Sequence, residues 1–487
     1  MAGLVPAIHV FLDKAKQDVD ARDKRGHDGG DVVPLNTMKR TLLDRRHFIA
    51  LAAASALSPA SAAPISALGI DATHFGLRPG SPDDQSRTLQ RAIEEAARAN
   101  APLALAPGVY RAGNIKLPAG AHLVGVRGAT RLRLAEGPSL LSADGAERIT
   151  LTGLVLDGLQ RPLPQRRALL HLENTRNLRI ADCEITGAGG NALQCVAADG
   201  TISDNKITNA LATAIFSLDA RGLMIARNTI EEAGDNGIQV WRSQPGDDAT
   251  IVSDNRITHI ANRSGGSGQY GNAINVFRSG NVIVRGNRID DCAFSAVRGN
   301  AASNIHIEGN AITNAREVAL YSEFGFEGAL IAGNTIDGAA IGIAVTNFNQ
   351  GGRLAAIQGN IIRNLHPKRP DGTDPGDGAG IGIAAEADAA ISGNVIENAP
   401  FAGLVLGFGQ YLRDVAATGN VVRRADIGIA VSVSAGAGHA LIANNVIAEV
   451  TRGAIVGMDR RRIATGDLMK DGAERYANLS ISGNRMR

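Results

Sequence analysis

The chain has 487 residues, enough to bury a large core. Its 50 basic and 48 acidic side chains leave a formal net charge of +2, which argues against a nucleic-acid tail or a polybasic membrane patch. Glycine is abundant at 58 residues and aromatics make up only 3%, so tight turns and small stacked side chains are expected in place of an aromatic core. Three cysteines (Cys183, Cys195, Cys292) without a CxxC pair argue against a disulfide scaffold.

Residues 1–37 precede a complete leader and are read as an extension from a start assigned upstream of Met38. Residues 38–63, "MKRTLLDRRHFIALAAASALSPASAA", combine a basic segment, the pair Arg45 and Arg46, a short apolar run and an Ala60-Ser61-Ala62 end. That order suits export and cleavage, and the run is too short to be a good membrane span. With Phe48 two residues after Arg46, the segment resembles a twin-arginine signal, although Asp44 and Ala50 depart from the usual Ser/Thr and Lys. The resemblance implies passage through the twin-arginine translocase and a periplasmic or secreted protein, without stable membrane insertion.

Residues 64–140 are expected to form a cap and the first coils. Asp83 or Asp84 can cap a helix whose apolar positions Leu89, Ile93 and Ala96–Ala97 follow a 3.6-residue period. The pieces "PLALAPGVY" and "HLVGVRG" then read as strands between Pro and Gly turns. The order Phe75-Gly76, Asp83-Asp84, Leu89-Gln90, Ala92-Ile93, Pro107-Gly108, Tyr110, Leu117-Pro118, Gly120 resembles the N-terminus of the pectate-lyase-like right-handed parallel β-helices. In that superfamily these residues build the cap and are not catalytic. With the leader, the chain is most similar to twin-arginine-translocated repeat proteins of unassigned function.

Residues 141–487 repeat. An Asn between two strand-like pieces recurs at 205, 228, 255, 287, 310, 334, 360, 394, 420, 445 and 484, and Cys183 takes the same place one unit earlier. Most spacings are 22 to 27 residues; those of 32, 34 and 39 coincide with insertions near 261–272, 365–379 and 459–477. Two short strands plus turns per unit make a coil of a right-handed, single-stranded parallel β-helix. The Asn is expected at a turn, where it tolerates left-handed or bridge dihedrals and stacks amide on amide.

If the coil is regular, chemistry belongs where regularity fails. Aligning Leu193, Ile215, Ile238, Ile274, Val297, Leu320 and Ile343 as inward makes the next position outward: Gln194, Phe216, Gln239, Asn275, Arg298, Tyr321, Ala344. Two residues on, the column reads Val196, Leu218, Trp241, Phe277, Asn300, Glu323, Thr346. Beyond residue 345 the face turns bland. Aromatics, planar amides and arginines on one face suit an acidic polysaccharide. The expected substrate-binding residues are Gln194, Asp219, Gln239, Trp241, Arg242, Tyr270, Asn275, Phe277, Arg278 and Asn300.

Two reaction schemes fit such a face. Hydrolysis needs paired carboxyls about 5 to 9.5 Å apart; Glu323 is the best outward acid, with Asp235 or Glu327 as partner, because Asp219 lies about four coils away. Elimination needs a base at the sugar C5 and cations on the carboxylate. Arg298 would serve as base or clamp, Tyr321 or Tyr270 as proton donor, and Arg242 and Arg278 as carboxylate binders; Arg as base rests only on resemblance to the lyase superfamily. The catalytic candidates are therefore Arg298, Glu323, Tyr321 and Asp235. The alternative is a non-catalytic carbohydrate-binding or envelope-structural protein. Asp371, Asp374 and Asp377 read as a solvated turn and the histidines are scattered, so neither a metal nor a cofactor is expected.

Overall fold

The computed structural model describes residues 68–164, 167–346 and 352–487; the extension over 1–37 and the leader over 38–63 lie outside them. The chain winds into a right-handed parallel β-helix in which each coil places one strand in a sixteen-stranded sheet and the next strands in a second, larger parallel system. One coil runs Gly200–Ser203, Lys206–Ala210 and Thr213–Leu218, and the next begins at Met224. Alternation explains the winding, since Ile202, Ile207 and Ile215 point inward and are fully buried. Each such side chain contributes roughly 1.5–3 kcal/mol on burial.

The helix Ser86–Arg98 covers the N-terminal opening with Leu89, Ala92, Ile93 and Ala96, while Ala97 stays partly exposed. Of the two cap candidates, Asp84 bonds the helix start, its carboxylate accepting from the Ser86 N–H at 2.8 Å.

The repeated Asn forms one continuous ladder. From Asn205 to Asn445, each amide nitrogen donates to the Oδ1 of the next Asn at 2.8–3.1 Å and to a backbone carbonyl of the preceding coil. Each Oδ1 also accepts the backbone N–H of the coil before, starting at Cys183. One expectation is corrected: the left-handed residue is the one before the ladder Asn, as at Asp204, Arg227 and Asp254 with φ between 55° and 62°, and likewise Asp182 before Cys183. The ladder Asn instead keeps its side chain inside, where amide bonds replace water.

The bland face beyond residue 345 is buried under loops. Val318, Tyr321, Ile341, Ala344, Ile381 and Ala384 pack as one apolar cluster outside the solenoid, and Ala402, Ile427, Ala430, Val456 and Met458 as another. Small apolar residues there are a second core. The segment read as a loop near 459–477 also holds the strand Arg462–Asp467, which pairs antiparallel with Val446–Asp459; every other pairing among the described strands is parallel.

Candidate functional site

The strand registers match the columns aligned from sequence. Leu193 pairs with Ile215, Ile215 with Ile238, Ile238 with Ile274, Ile274 with Val297, Val297 with Leu320 and Leu320 with Ile343. Gln194, Phe216, Gln239, Asn275, Arg298 and Tyr321 therefore form one outward column, and Trp241, Phe277, Asn300 and Glu323 share the next. Outward is not exposed, however. Gln194, Gln239, Asn275, Arg298, Tyr321 and Glu323 are all buried; inserted loops reach Asn275 and the Arg298 cluster, while Gln194 and Gln239 bond Asn191 and Thr213 of the sheet itself.

The loop 261–271 is tied down by the residues beneath it. Asn275 donates to the Gly268 carbonyl at 2.7 Å, Asn236 to the Gln269 carbonyl at 3.0 Å, and Asp235 accepts from Ser264 N and Oγ at 2.8 Å each. Gln269 donates to the Tyr270 hydroxyl at 2.9 Å, and burial, then the Asp235 charge, pushes that phenol's pKa up. Gly271, with φ 77°, lies so close to the buried Phe294 ring that a Cβ would meet it at 2.3 Å; Gly372 of the loop 365–380 approaches the same ring. Phe294 thus clasps both insertions.

Beside this canopy lies an aromatic row in which Phe216 and Trp241 are half-buried and Phe277 is buried. Trp241 packs edge-on to Phe216 with ring centres 5.7 Å apart, and tilted against Phe277 at 5.5 Å. Its indole N–H donates to Asn275 Oδ1 at 2.8 Å, which sets the ring's orientation. The Arg278 guanidinium sits 4.7 Å over the Phe277 ring and donates to the Ser243 carbonyl at 3.2 Å. Arg242 lies one coil away and donates to the Ala220 carbonyl at 3.4 Å, while its buried Nε has no hydrogen-bond partner. Neither arginine has a carboxylate ion-pair partner among the described residues. Asp219 accepts from Ser243 N and Oγ at 2.9 and 2.8 Å, which holds the bend after Trp241.

The far end of the columns is a sealed charge cluster. Arg298 donates to both Glu323 oxygens at 2.7 and 3.0 Å and approaches Glu317 at 3.4 Å, with the Tyr321 ring 4.5 Å from its guanidinium. Asn300 donates to Glu323 at 2.8 Å, and Arg369 pairs with Glu317. The Arg369 Nε and Nη1 have no hydrogen-bond partner. Burial works against the Arg298 charge, yet Glu323 and Glu317 raise its pKa overall, so Arg298 is a cation and no base in this state. Burial and then Glu323 push the Tyr321 phenol well up.

The catalytic candidates Arg298, Tyr321 and Glu323 come together, and Asp235 stands apart. It is three coils from Glu323, about 14 Å along the axis at ~4.8 Å per coil, beyond a paired-carboxyl spacing. Glu317 and Arg369 escaped the sequence reading. Glu317 precedes the aligned strand, and Arg369 lies within an insertion read as solvated. Asp374 in that insertion caps a short turn, accepting from Gly376 N at 2.7 Å.

The sequence matches family models in two places: a right-handed beta helix region over residues 245–421 and the periplasmic copper-binding protein NosD over 135–278. No curated protein matches. Among solved structures, the N-terminal fragment of bacteriophage Phi29 gene product 12 aligns with a TM-score of 0.56 at 14% identity, covering 86% of this chain and 74% of that one. The mannuronan C-5 epimerase A-module of Azotobacter vinelandii aligns at 0.43 and 16% identity, covering 86% and 99%. The α-1,3-glucanase catalytic unit from Streptomyces thermodiastaticus aligns at 0.42 and 14%, covering 88% and 70%. At such identities the likeness concerns fold.

Proposed function

We propose that this exported β-helix binds an acidic polysaccharide along the row Phe216, Trp241, Phe277, with Arg242 and Arg278 taking its carboxylates. One observation carries the reading: three packed aromatic rings on adjacent coils, flanked by two arginines that make no ion pair within 4 Å, Arg242 having the buried Asp248 as its acidic neighbour. The half-buried rings of Phe216 and Trp241 offer apolar surface to sugar rings, the buried Phe277 backs Trp241 beneath Arg278, and guanidinium forks match carboxylates. Asp219, Gln194, Gln239 and Asn300 line or brace the same face. Export through the twin-arginine translocase, into the periplasm or beyond, belongs to this reading and rests on residues 38–63. No helix among the described residues is long and apolar enough to cross a membrane.

Cleavage or elimination is the second reading, favoured by the gathering of Arg298, Tyr321 and Glu323. It requires the loop 365–380 to lift, because those groups are engaged with one another and closed from water. Binding without turnover is the better-supported form. Among the described residues, no three His, Cys, Asp or Glu side chains gather as a metal group. Burial also pushes the Cys183 thiol to about 11 and those of Cys195 and Cys292 to about 12.

Trp241→Ala is expected to weaken binding to polygalacturonate or alginate by about 2 kcal/mol, roughly thirtyfold in Kd. Arg278→Gln should reduce the salt dependence of binding while leaving the fold intact. Calorimetric titration reads both, and reducing ends or unsaturated products report turnover. A wild-type protein that binds no uronate glycan would sink the proposal.

A further inference from the structure

The sixteen-stranded sheet carries an apolar stripe on its outer surface. Its register joins Met224, Ile251, Ile283, His306, Leu330, Ala356, Ala390, Ala416 and Leu441 into one column over nine consecutive coils. All nine are at least partly exposed, with Met224 at 43% and Leu441 at 41%. Beside the column Leu354 is 51% exposed with φ 66°, where neighbouring coils use Asn304, Gly328, Asp388 and Asp414. An L side chain is strained there, and Leu gains nothing from water at that corner.

Side-chain size changes along the stripe. The N-terminal part is a ridge of Met224, Ile251 and Ile283, and towards the C-terminus the column shrinks to Ala356, Ala390 and Ala416; a trough of about 570 Å³ runs from His306 and Leu330 past Leu354 to Ala416 and is bordered by Asp388 and Asp414. We infer that a second copy of this chain covers the stripe, the two sixteen-stranded sheets meeting face to face about a two-fold axis parallel to the strands and passing over Leu330. That axis runs the two solenoids antiparallel. Counting coils outward from Leu330, His306 falls opposite Ala356, Ile283 opposite Ala390, Ile251 opposite Ala416, and Met224 opposite Leu441. The ridge of each copy enters the trough of the other, and Leu354 covers the coil of His306. A two-fold axis along the solenoid would instead set ridge on ridge and leave both troughs empty.

Nine coils at ~4.8 Å make a stripe roughly 40 Å long. Its width of about 15 Å includes the turn row and a second outward column that is largely polar, with Ser253, Arg285, Glu308, Gln358, Ser392 and Thr418, so the apolar column is framed by a polar rim. The whole face is roughly 600 Å² per copy and about 1,200 Å² in all, the lower end of the range for stable interfaces. The aromatic row lies on strands of the other sheet system, so the contact leaves it free.

Sedimentation of the purified full chain at micromolar concentration tests the inference, with twice the mass of one chain expected. Leu330→Arg should return the mass to one chain with unchanged far-ultraviolet circular dichroism. Cysteine pairs then read the register, since Cys183, Cys195 and Cys292 are buried and silent. With a short bismaleimide, Leu330→Cys should crosslink to itself. Ile283→Cys should not, because its copies lie four coils apart, but it should crosslink with Ala390→Cys when the two variants are mixed. A monomeric wild type, a dimer that survives Leu330→Arg, or self-crosslinking of Ile283→Cys each overturns the inference. Lipid-vesicle binding by a monomer, lost on Leu330→Arg, would assign the stripe to a membrane surface and overturn it equally.

Discussion

Glu323→Ala is expected to destabilise the protein by about 3–5 kcal/mol, a larger loss than any single contact on the aromatic row would cause. Glu323 is fully buried, accepts two hydrogen bonds from Arg298 and one from Asn300, and sits inside the second layer of loops. Its removal leaves the Arg298 charge in a dry site with only the longer contact to Glu317, and breaking one partner of a buried pair costs about this much. Removing both partners should cost less. Arg298→Met with Glu323→Leu replaces the pair by apolar volume, and its urea midpoint should lie above that of Glu323→Ala. A double variant less stable than the single one would show that the cluster acts through something other than charge burial. The same variants address turnover, because a folded double variant that still cleaves a uronate glycan removes both residues from chemistry.

Asn310→Ala should cost about 3–4 kcal/mol, nearly as much, by a different route. Asn310 accepts from Asn287 N and Nδ2 at 2.9 and 3.0 Å and donates to Val284 O and Asn334 Oδ1 at 3.1 and 2.9 Å. Truncation strands several buried polar groups, each worth about 1–3 kcal/mol when left unpaired. Asn484, at the last rung, is half-buried and has no further rung to donate to, although it still accepts from the buried Asn445, so Asn484→Ala should cost less, about 2 kcal/mol. Thermal or urea unfolding compares the two. Equal losses at both sites would mean that the ladder contributes through the turn backbone, with burial of the amide irrelevant.

The structure changes what the bland C-terminal coils mean. Ala344, Ala384 and Ala430 are small because loops pack onto them, and the apolar clusters outside the solenoid are the result. The loop carrying Arg369 closes the cluster of Arg298, Glu317 and Glu323, which separates the candidate site into a half-buried aromatic row and a sealed ionic end. Arg369 links the two aspects, since it sits in the covering loop and holds Glu317.

The recurring Asn, the β-branched alternation and the lengths of the intervals were enough to determine the coil, the ladder, the inserted segments and the side-chain columns. Those features depend on local periodicity and on a neighbour that is always one repeat away, so spacing in the chain translates directly into spacing in space. Burial of the outward face was decided only in the tertiary structure. Whether Arg298 meets a sugar or Glu323, and whether Asp235 meets a substrate or Ser264, depends on where loops of irregular sequence fold back. Nothing in the repeat encodes that path. Glu317 and Arg369 became visible for the same reason, because 52 residues separate them in sequence and only the returning loop brings them together.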